Sequence, residues 1–175
     1  KQGSIRVGPY PVAIAWTADM SHAVVAQRAS DTLGFVDVTA GKLVDAVWVG
    51  DEPANVKLSS DGSRAYVALA AEDKVAVVDT ETPELVRRID VNDDPLGLAL
   101  SPDGSKLYVA THRSGHPNRY PYEDDPVEAE KDVAIVDIES GSIDGYFKDV
   151  GTTLNALKMS DEGDTLYLAG RTNDT

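Results

Sequence analysis

The sequence predicts an all-β fold of four-stranded antiparallel sheets repeated along the chain, and three observations carry that prediction. Pro11, Pro53 and Pro95 recur at steps of 42 residues, as do Asp19, Asp61 and Asp103, and Val25, Val67 and Val109. Within each block, short runs rich in Val, Leu and Tyr alternate with clusters of Asp, Gly, Ser and Thr, the composition of strands and of the turns between them. Runs such as Val75-Ala76-Val77-Val78 and Val133-Ala134-Ile135-Val136 are apolar at successive positions. Both faces of such strands need cover, and neighbouring copies of the unit can supply it.

Taken in order, Ser4 to Gly8 matches the fourth strand of a preceding unit, and residues 11–50, 53–91 and 95–150 are successive units. Residues 152–175 open an incomplete fourth, where Ser160-Asp161 answers Ser101-Pro102-Asp103 and Leu166-Tyr167-Leu168 answers Leu107-Tyr108-Val109. The second unit reads as strands Asn55 to Ser59, Ala65 to Leu69, Lys74 to Asp79 and Leu85 to Val91. Ser60-Asp61-Gly62-Ser63 joins its first pair and Pro102-Asp103-Gly104-Ser105 repeats it, with Asp-Gly expected to supply the positive φ angles of a tight hairpin. Met20 stands where the first unit should carry that glycine, which predicts a different turn type there. Asp37, Asp79 and Asp137 close the third strands and are expected to bond turn amides. Tyr66, Tyr108 and Tyr167 are expected to pack, and Trp16 and Trp48 to fill the core or the space between sheets.

Four strands per unit at this period is the signature of a β-propeller, whose blades number roughly 4 to 8. About three and a half blades are present across residues 1–175, fewer than a closed ring holds. Open ends leave unpaired edges and half-covered sheets, so a protein partner or the remainder of its own chain is expected to complete the ring.

The 175 residues carry 30 acidic against 16 basic side chains, a formal charge of −14, with 42% hydrophobic residues, enough to build a core. A field of this sign repels phosphate backbones, so nucleic acid is not an expected partner. Zero cysteine removes disulfides, thiolate nucleophiles, iron–sulfur clusters and covalent c-type haem attachment within this stretch. No apolar run approaches the ~20 residues of a membrane helix, so no membrane span is expected. Lys1 to Ile5 lacks the layout of a signal peptide, although one could already have been removed. There is no Walker loop, Gly-x-Ser-x-Gly elbow or His-Glu-x-x-His in the chain. No catalytic residue is therefore assigned, and the enzyme question stays open, leaning towards none.

Pro95-Leu96-Gly97-Leu98-Ala99-Leu100-Ser101-Pro102-Asp103-Gly104, then Lys106-Leu107-Tyr108-Val109-Ala110, then Val133-Ala134-Ile135-Val136-Asp137 resemble the repeats of YVTN-type β-propellers. The Asn of that family's tetrapeptide is replaced here by Gln27, Leu69, Thr111 and Gly170. The family's topology implies that the connections between second and third strands, beginning at Arg28, Ala70, His112 and Arg171, emerge around one mouth together with the connections between units. Loops on a rigid scaffold are the usual seat of binding.

Between Asp79 and Asp137 the step grows by 16 residues, and the insertion, residues 113–128, joins that mouth. It brings Arg113, His116, Arg119, Tyr120 and Tyr122 beside His112, so that these residues with Arg28 and Arg171 are the candidate ligand- or partner-binding set. Gly115 and Pro117 oppose a helix that would align the two histidines on a transition metal. Asp124, Asp125 and Glu128 offer the oxygen donors calcium takes, but without EF-hand spacing, and a solvated acidic loop is the plainer reading, so no metal is assigned. Lys57 and Lys158 occupy equivalent places on first strands, either pointing into the channel or snorkelling to water.

Two functional readings follow. One is a non-catalytic binding or scaffold module, periplasmic or extracellular, that presents its loop-rich face to a protein partner or a small polar ligand and needs no cofactor. The alternative comes from the resemblance, which extends to the haem-binding propeller of nitrite reductase. It implies the propeller domain of a periplasmic redox enzyme that contains haem or associates with it, any haem being non-covalent, with His112 or His116 as axial ligand or docking residue and Arg28, Arg113 and Arg171 near the propionates.

Overall fold

The computed structural model describes residues 3–91, 94–111, 132–148, 150 and 154–170. The fold is that of a partial β-propeller, all-β, with a three-residue 3-10 turn at Arg28–Ser30 as the single helical element among the described residues. The chain divides into two compact units, Lys1–Asp90 and Val91–Thr175.

In the first unit, β1 (Pro11–Trp16), β2 (His22–Gln27), β3 (Thr32–Asp37) and β4 (Lys42–Trp48) form one antiparallel sheet in chain order. A second sheet follows from β5 (Pro53–Leu58), β6 (Arg64–Leu69), β7 (Lys74–Asp79) and β8 (Glu84–Asp90). The 42-residue step survives in the register: His22 faces Asp37 as Arg64 faces Asp79, and Gln27 faces Thr32 as Leu69 faces Lys74. Alternation along the strands gives the first sheet two apolar faces. Val24, Ala26, Leu33 and Phe35 pack with Val56, Val67, Leu69 and Val78 of the second sheet, closed by Val49 from the connection between them. Ala23, Val25 and Val36 turn the other way, where Ile5, Val7, Val38 and Leu43 lie against them. Each fully buried Val or Leu contributes about 1.5–3 kcal/mol relative to exposure, so the first interface is the main hold on this unit.

The second unit holds β9 (Pro95–Leu100), β10 (Lys106–Thr111), β11 (Val133–Asp137) and β12 (Ile143–Phe147) in one antiparallel sheet, and β13 (Leu154–Met159) paired with β14 (Leu166–Gly170). Ala99, Ala110, Val133, Leu154 and Leu157 form one buried cluster between these two sheets. Gly97 permits the close approach, because a Cβ there would stand 3.1 Å from the Cβ of Ala110 and 3.3 Å from Leu157.

The turns between first and second strands share one construction. Gly62, Gly104 and Gly163 have positive φ and donate their amides to Ser59, Ser101 and Ser160, while neither Asp61 nor Asp103 enters that region. The expected pair of positive φ angles is thus a single one per turn. Met20 takes φ 57° and donates to Thr17 O at 2.9 Å, so the first turn is of the same type and not a different one. Asp19 fixes it by accepting from Thr17 Oγ1 at 2.7 Å and from Ser21 N at 3.0 Å, which carries the methionine through a region that favours glycine. Asp161 occupies the place of Pro102 and not of Asp103, because Gly163 matches Gly104 in the turn; the carboxylate that ties this loop is Asp164, which accepts from Ser160 Oγ.

Asp37, Asp79 and Asp137 accept from the amides of Ala40, Thr82 and Ser140 at 2.7, 2.9 and 2.8 Å, as turn anchors. Asp79 and Asp137 also pair with Arg64 and Lys106 across the second and third strands. Lys106 reaches Asp144 as well, and the two carboxylates raise its ammonium pKa above the ordinary lysine range. Tyr66 is buried, which pushes its phenol pKa up, and Tyr108 is half-buried and stacks on Phe147. Tyr167 instead is 59% exposed, on a two-stranded sheet with no third strand among the described residues. Nor are the tryptophans core: Trp16 ends β1 on the open side of its sheet and Trp48 lies on the outermost strand.

Candidate functional site

At one end of the first unit, the connections after β2 and β6 meet the segments that lead into β1 and β5. Tyr10 and Glu52, each just before a strand-opening proline, take φ near 52–53° and turn their carbonyls to Arg28 N and Ala70 N. Carboxylates from the second-to-third connections then hold the inter-sheet segment by its amides. Asp31 Oδ1 accepts from Glu52 N at 3.2 Å, and Glu72 Oε1 accepts from Asp51 N at 2.7 Å. The second unit repeats the device, since Asp132 Oδ2 accepts from Val150 N at 2.7 Å.

Two arginines complete this rim. Arg28 pairs with Glu52, both partners well exposed. Arg88 lies 4.7 Å from the Trp48 ring centroid, donates through Nη2 to Val49 O at 3.1 Å and stands 3.7 Å from Glu72. An exposed ion pair adds little to stability, so Arg28 can exchange Glu52 for an anionic or polar group of a ligand at small cost. Arg88 is spent on joining the outer strand of one sheet to that of the next. Asp31, Asp51, Glu52, Glu72 and Asp73 outnumber Arg28, Lys74 and Arg88 here, so the rim as a whole carries negative charge.

The opposite end of the first sheet has the elements of a Ser–His–Asp constellation in an unreactive order. Ser21 Oγ donates to Asp19 Oδ2 at 2.7 Å and lies 2.8 Å from His22 Nδ1. Bonds from Thr17 and then Ser21 lower the Asp19 pKa to about 2, so the carboxylate only accepts. The serine proton therefore goes to a weakly basic aspartate and not to the imidazole. A cavity of about 240 Å³ lined by Thr17, His22, Phe35, Leu58 and Thr80 adjoins it.

Of the sequence-predicted set, Arg28 is on the rim. His112, Arg113, His116, Arg119, Tyr120, Tyr122 and Arg171, with Asp124, Asp125 and Glu128, lie outside the described residues. The stem that carries the insertion is described: Thr111, buried at the end of β10, donates its amide to Asp132 O at 3.0 Å, so the insertion leaves and returns at one hydrogen-bonded point. Lys57 is half-buried opposite Tyr66, and Lys158 is exposed opposite Tyr167. Among the described residues, no group of three or more His, Asp or Glu is placed to hold a metal ion.

Sequence reasoning missed Gln27. It is 2% exposed, its Nε2 has no hydrogen-bond partner, and it lies against Gly8 and Gly34, where added Cβ atoms would stand 1.5 and 1.8 Å from its amide. The signal was a double departure: the second sheet has Leu69 and Ala76 where the first has Gln27 and Gly34.

No protein-family model matches the sequence, and no curated protein matches it. Among solved structures, the chain is similar to one titled Kuenenia stuttgartiensis hydrazine synthase, with a TM-score of 0.77 and 27% sequence identity. The likeness covers 93% of this chain and 44% of that one, so the chain spans less than half of its structural relative.

Proposed function

We propose that this chain is a non-catalytic β-propeller module of YVTN type that works as part of a larger assembly in the periplasm or outside the cell. Its loop-bearing end receives a protein partner or a small polar ligand. The observation that carries the reading is the rim itself, where carboxylates hold the connections rigid through backbone amides while Arg28 stays exposed and exchangeable. Such a surface binds without supplying a reacting group. Two variants test it in the intact assembly: Arg28→Glu, and replacement of residues 113–128 by a short Gly-Ser link. Both should lose the partner while keeping the β-sheet circular dichroism and unfolding midpoint of the parent. Retention of the partner by both variants would remove the reading.

The similarity to a structure titled hydrazine synthase favours a second reading, the propeller domain of a redox enzyme with non-covalent haem. Among the described residues the fit to haem is poor. Arg28 could exchange Glu52 for a propionate, but His22, the one histidine among the described residues, lies at the other end of β2 with Nδ1 engaged by Ser21. This reading therefore rests on His112 and His116. Haemin titration reads it directly, since a Soret shift abolished by His112→Ala or His116→Ala would displace the first reading.

A further inference from the structure

The first sheet is built for cover on both faces, and one face has it only in part: Ala23, Val25 and Val36 are buried beneath Ile5 and Val7, while β1 stays open. The 42-residue step maps Ile14, Ala23, Val25 and Val36 onto Val56, Ala65, Val67 and Val78. In the second sheet those four residues form the face that packs on the first sheet. Their counterparts look the other way, onto a groove of about 950 Å³ along β1 and β2. Val56 is 2% exposed, whereas Ile14 is 50% exposed and Trp16 beside it 45%. Among the described residues no charged side chain lines the groove, in a chain of net charge −14. Its occupant is therefore apolar and sheet-like, not an ionic ligand.

One piece of the occupant is already seated. The same step maps Ile5 and Val7 onto Val47, near the end of β4, and Val49, just after it, both packed at the covered core. Ile5 and Val7 pack on Ala23, Val25 and Val36 in the corresponding way. They occupy the place of a fourth strand and have no strand partner among the described residues.

We infer that this face, open along β1, is an assembly surface for one further four-stranded sheet of this repeat, with Ser4–Gly8 as its outermost strand. The inference rests on the reading of the chain as part of a larger assembly and names what adjoins this end of it. Gln27 makes the junction different from the internal one. Its buried Nε2, without a hydrogen-bond partner, stands where Leu69 closes the internal interface, so the natural neighbour is a sheet that accommodates a hydrogen-bonding group at this edge.

The test extends the chain by its own repeat. By the step of 42, residue 84 and residue 42 both correspond to the position just before Lys1, so a copy of residues 53–84, or of residues 11–42 with its tryptophan changed to phenylalanine, is fused ahead of Lys1. In a Trp48→Phe background Trp16 is then the sole tryptophan. Expected is a monomer in which Trp16 emission shifts to the blue and acrylamide quenching falls several-fold relative to the unextended chain. Ile14→Asp should then unfold the extended chain at far lower urea while leaving the unextended one nearly unchanged. The inference is overturned if both extended chains leave Trp16 as quenchable as before or fail to fold. It is equally overturned if the unextended chain at micromolar concentration already buries Trp16 by pairing with a second copy. Partner binding at the loop end is read by the Arg28 and insertion variants, so the two ideas fail separately.

Discussion

The second sheet is covered on the face that the first leaves open, and the two sheets separate what the repeat encodes from what the surroundings decide. Strand positions, register and turn anchors are shared, because each depends on residues within one unit. Burial differs, because it depends on the neighbour: Val56 and Ile14 hold equivalent places at 2% and 50% exposure. The largest effect expected is therefore an asymmetry. Val56→Asp puts an unpaired carboxylate into the covered interface and should cost several kcal/mol, a large part of the 5–15 kcal/mol available to a domain. Ile14→Asp should stay within about 0.5 kcal/mol in the same chain. Urea midpoints of the two variants check this, and equal losses would mean that the faces are not in different surroundings.

A smaller contrast lies at the edge of the two interfaces. Leu69 lies against Gly50 where Gln27 lies against Gly8. Replacing a side chain whose buried Nε2 has no hydrogen-bond partner by an alkyl group of similar size removes a desolvation penalty of about 1–3 kcal/mol. Gln27→Leu should accordingly raise the stability of this chain by that order, and Leu69→Gln should lower it by at least as much. A destabilised Gln27→Leu variant would mean that the amide has a partner in solution.

These contrasts also mark what could be read from residues alone. The strands and the roles of Asp37, Asp79 and Asp137 were legible, since turn chemistry and apolar runs act over a few residues and repetition states them more than once. Arg28 was legible as the first residue after β2. The clamp of Arg88 on Trp48 and Val49 was not, because it joins residues 39 apart in sequence and occurs at one junction. Trp16 and Tyr167 were misread as packed because exposure depends on a neighbouring sheet, which no spacing within the unit reveals. Met20 was misread because glycine is the usual but not the required residue at positive φ when side chains brace the turn. Met20→Gly should consequently stabilise the first turn by about 1 kcal/mol, and Gly62→Met should cost the second a similar amount, as read from thermal midpoints.

The weakest contrast expected is between the braced turns and the last one under acid. Asp19, Asp61 and Asp103 have pKa values lowered from 3.8 to about 2, chiefly by the hydroxyls of Thr17, Ser59 and Ser101 and then by the amides two residues on. In the fourth turn Glu162 stands where Asp103 does in the third, and the bracing carboxylate is Asp164, lowered by Ser160 and then Thr165. A carboxylate whose folded pKa lies below its unfolded value stabilises fully above the unfolded value and loses that contribution as pH falls through the folded one. Stability should therefore decline from about pH 4 towards pH 2 as these bonds are lost. Asn at all three positions should flatten that decline while lowering stability at neutral pH. Because hydrogen bonds and not distant charges hold the shifts, added salt should leave the slope nearly unchanged. A slope that salt abolishes would assign the acid sensitivity to the general surface charge instead of to the turns.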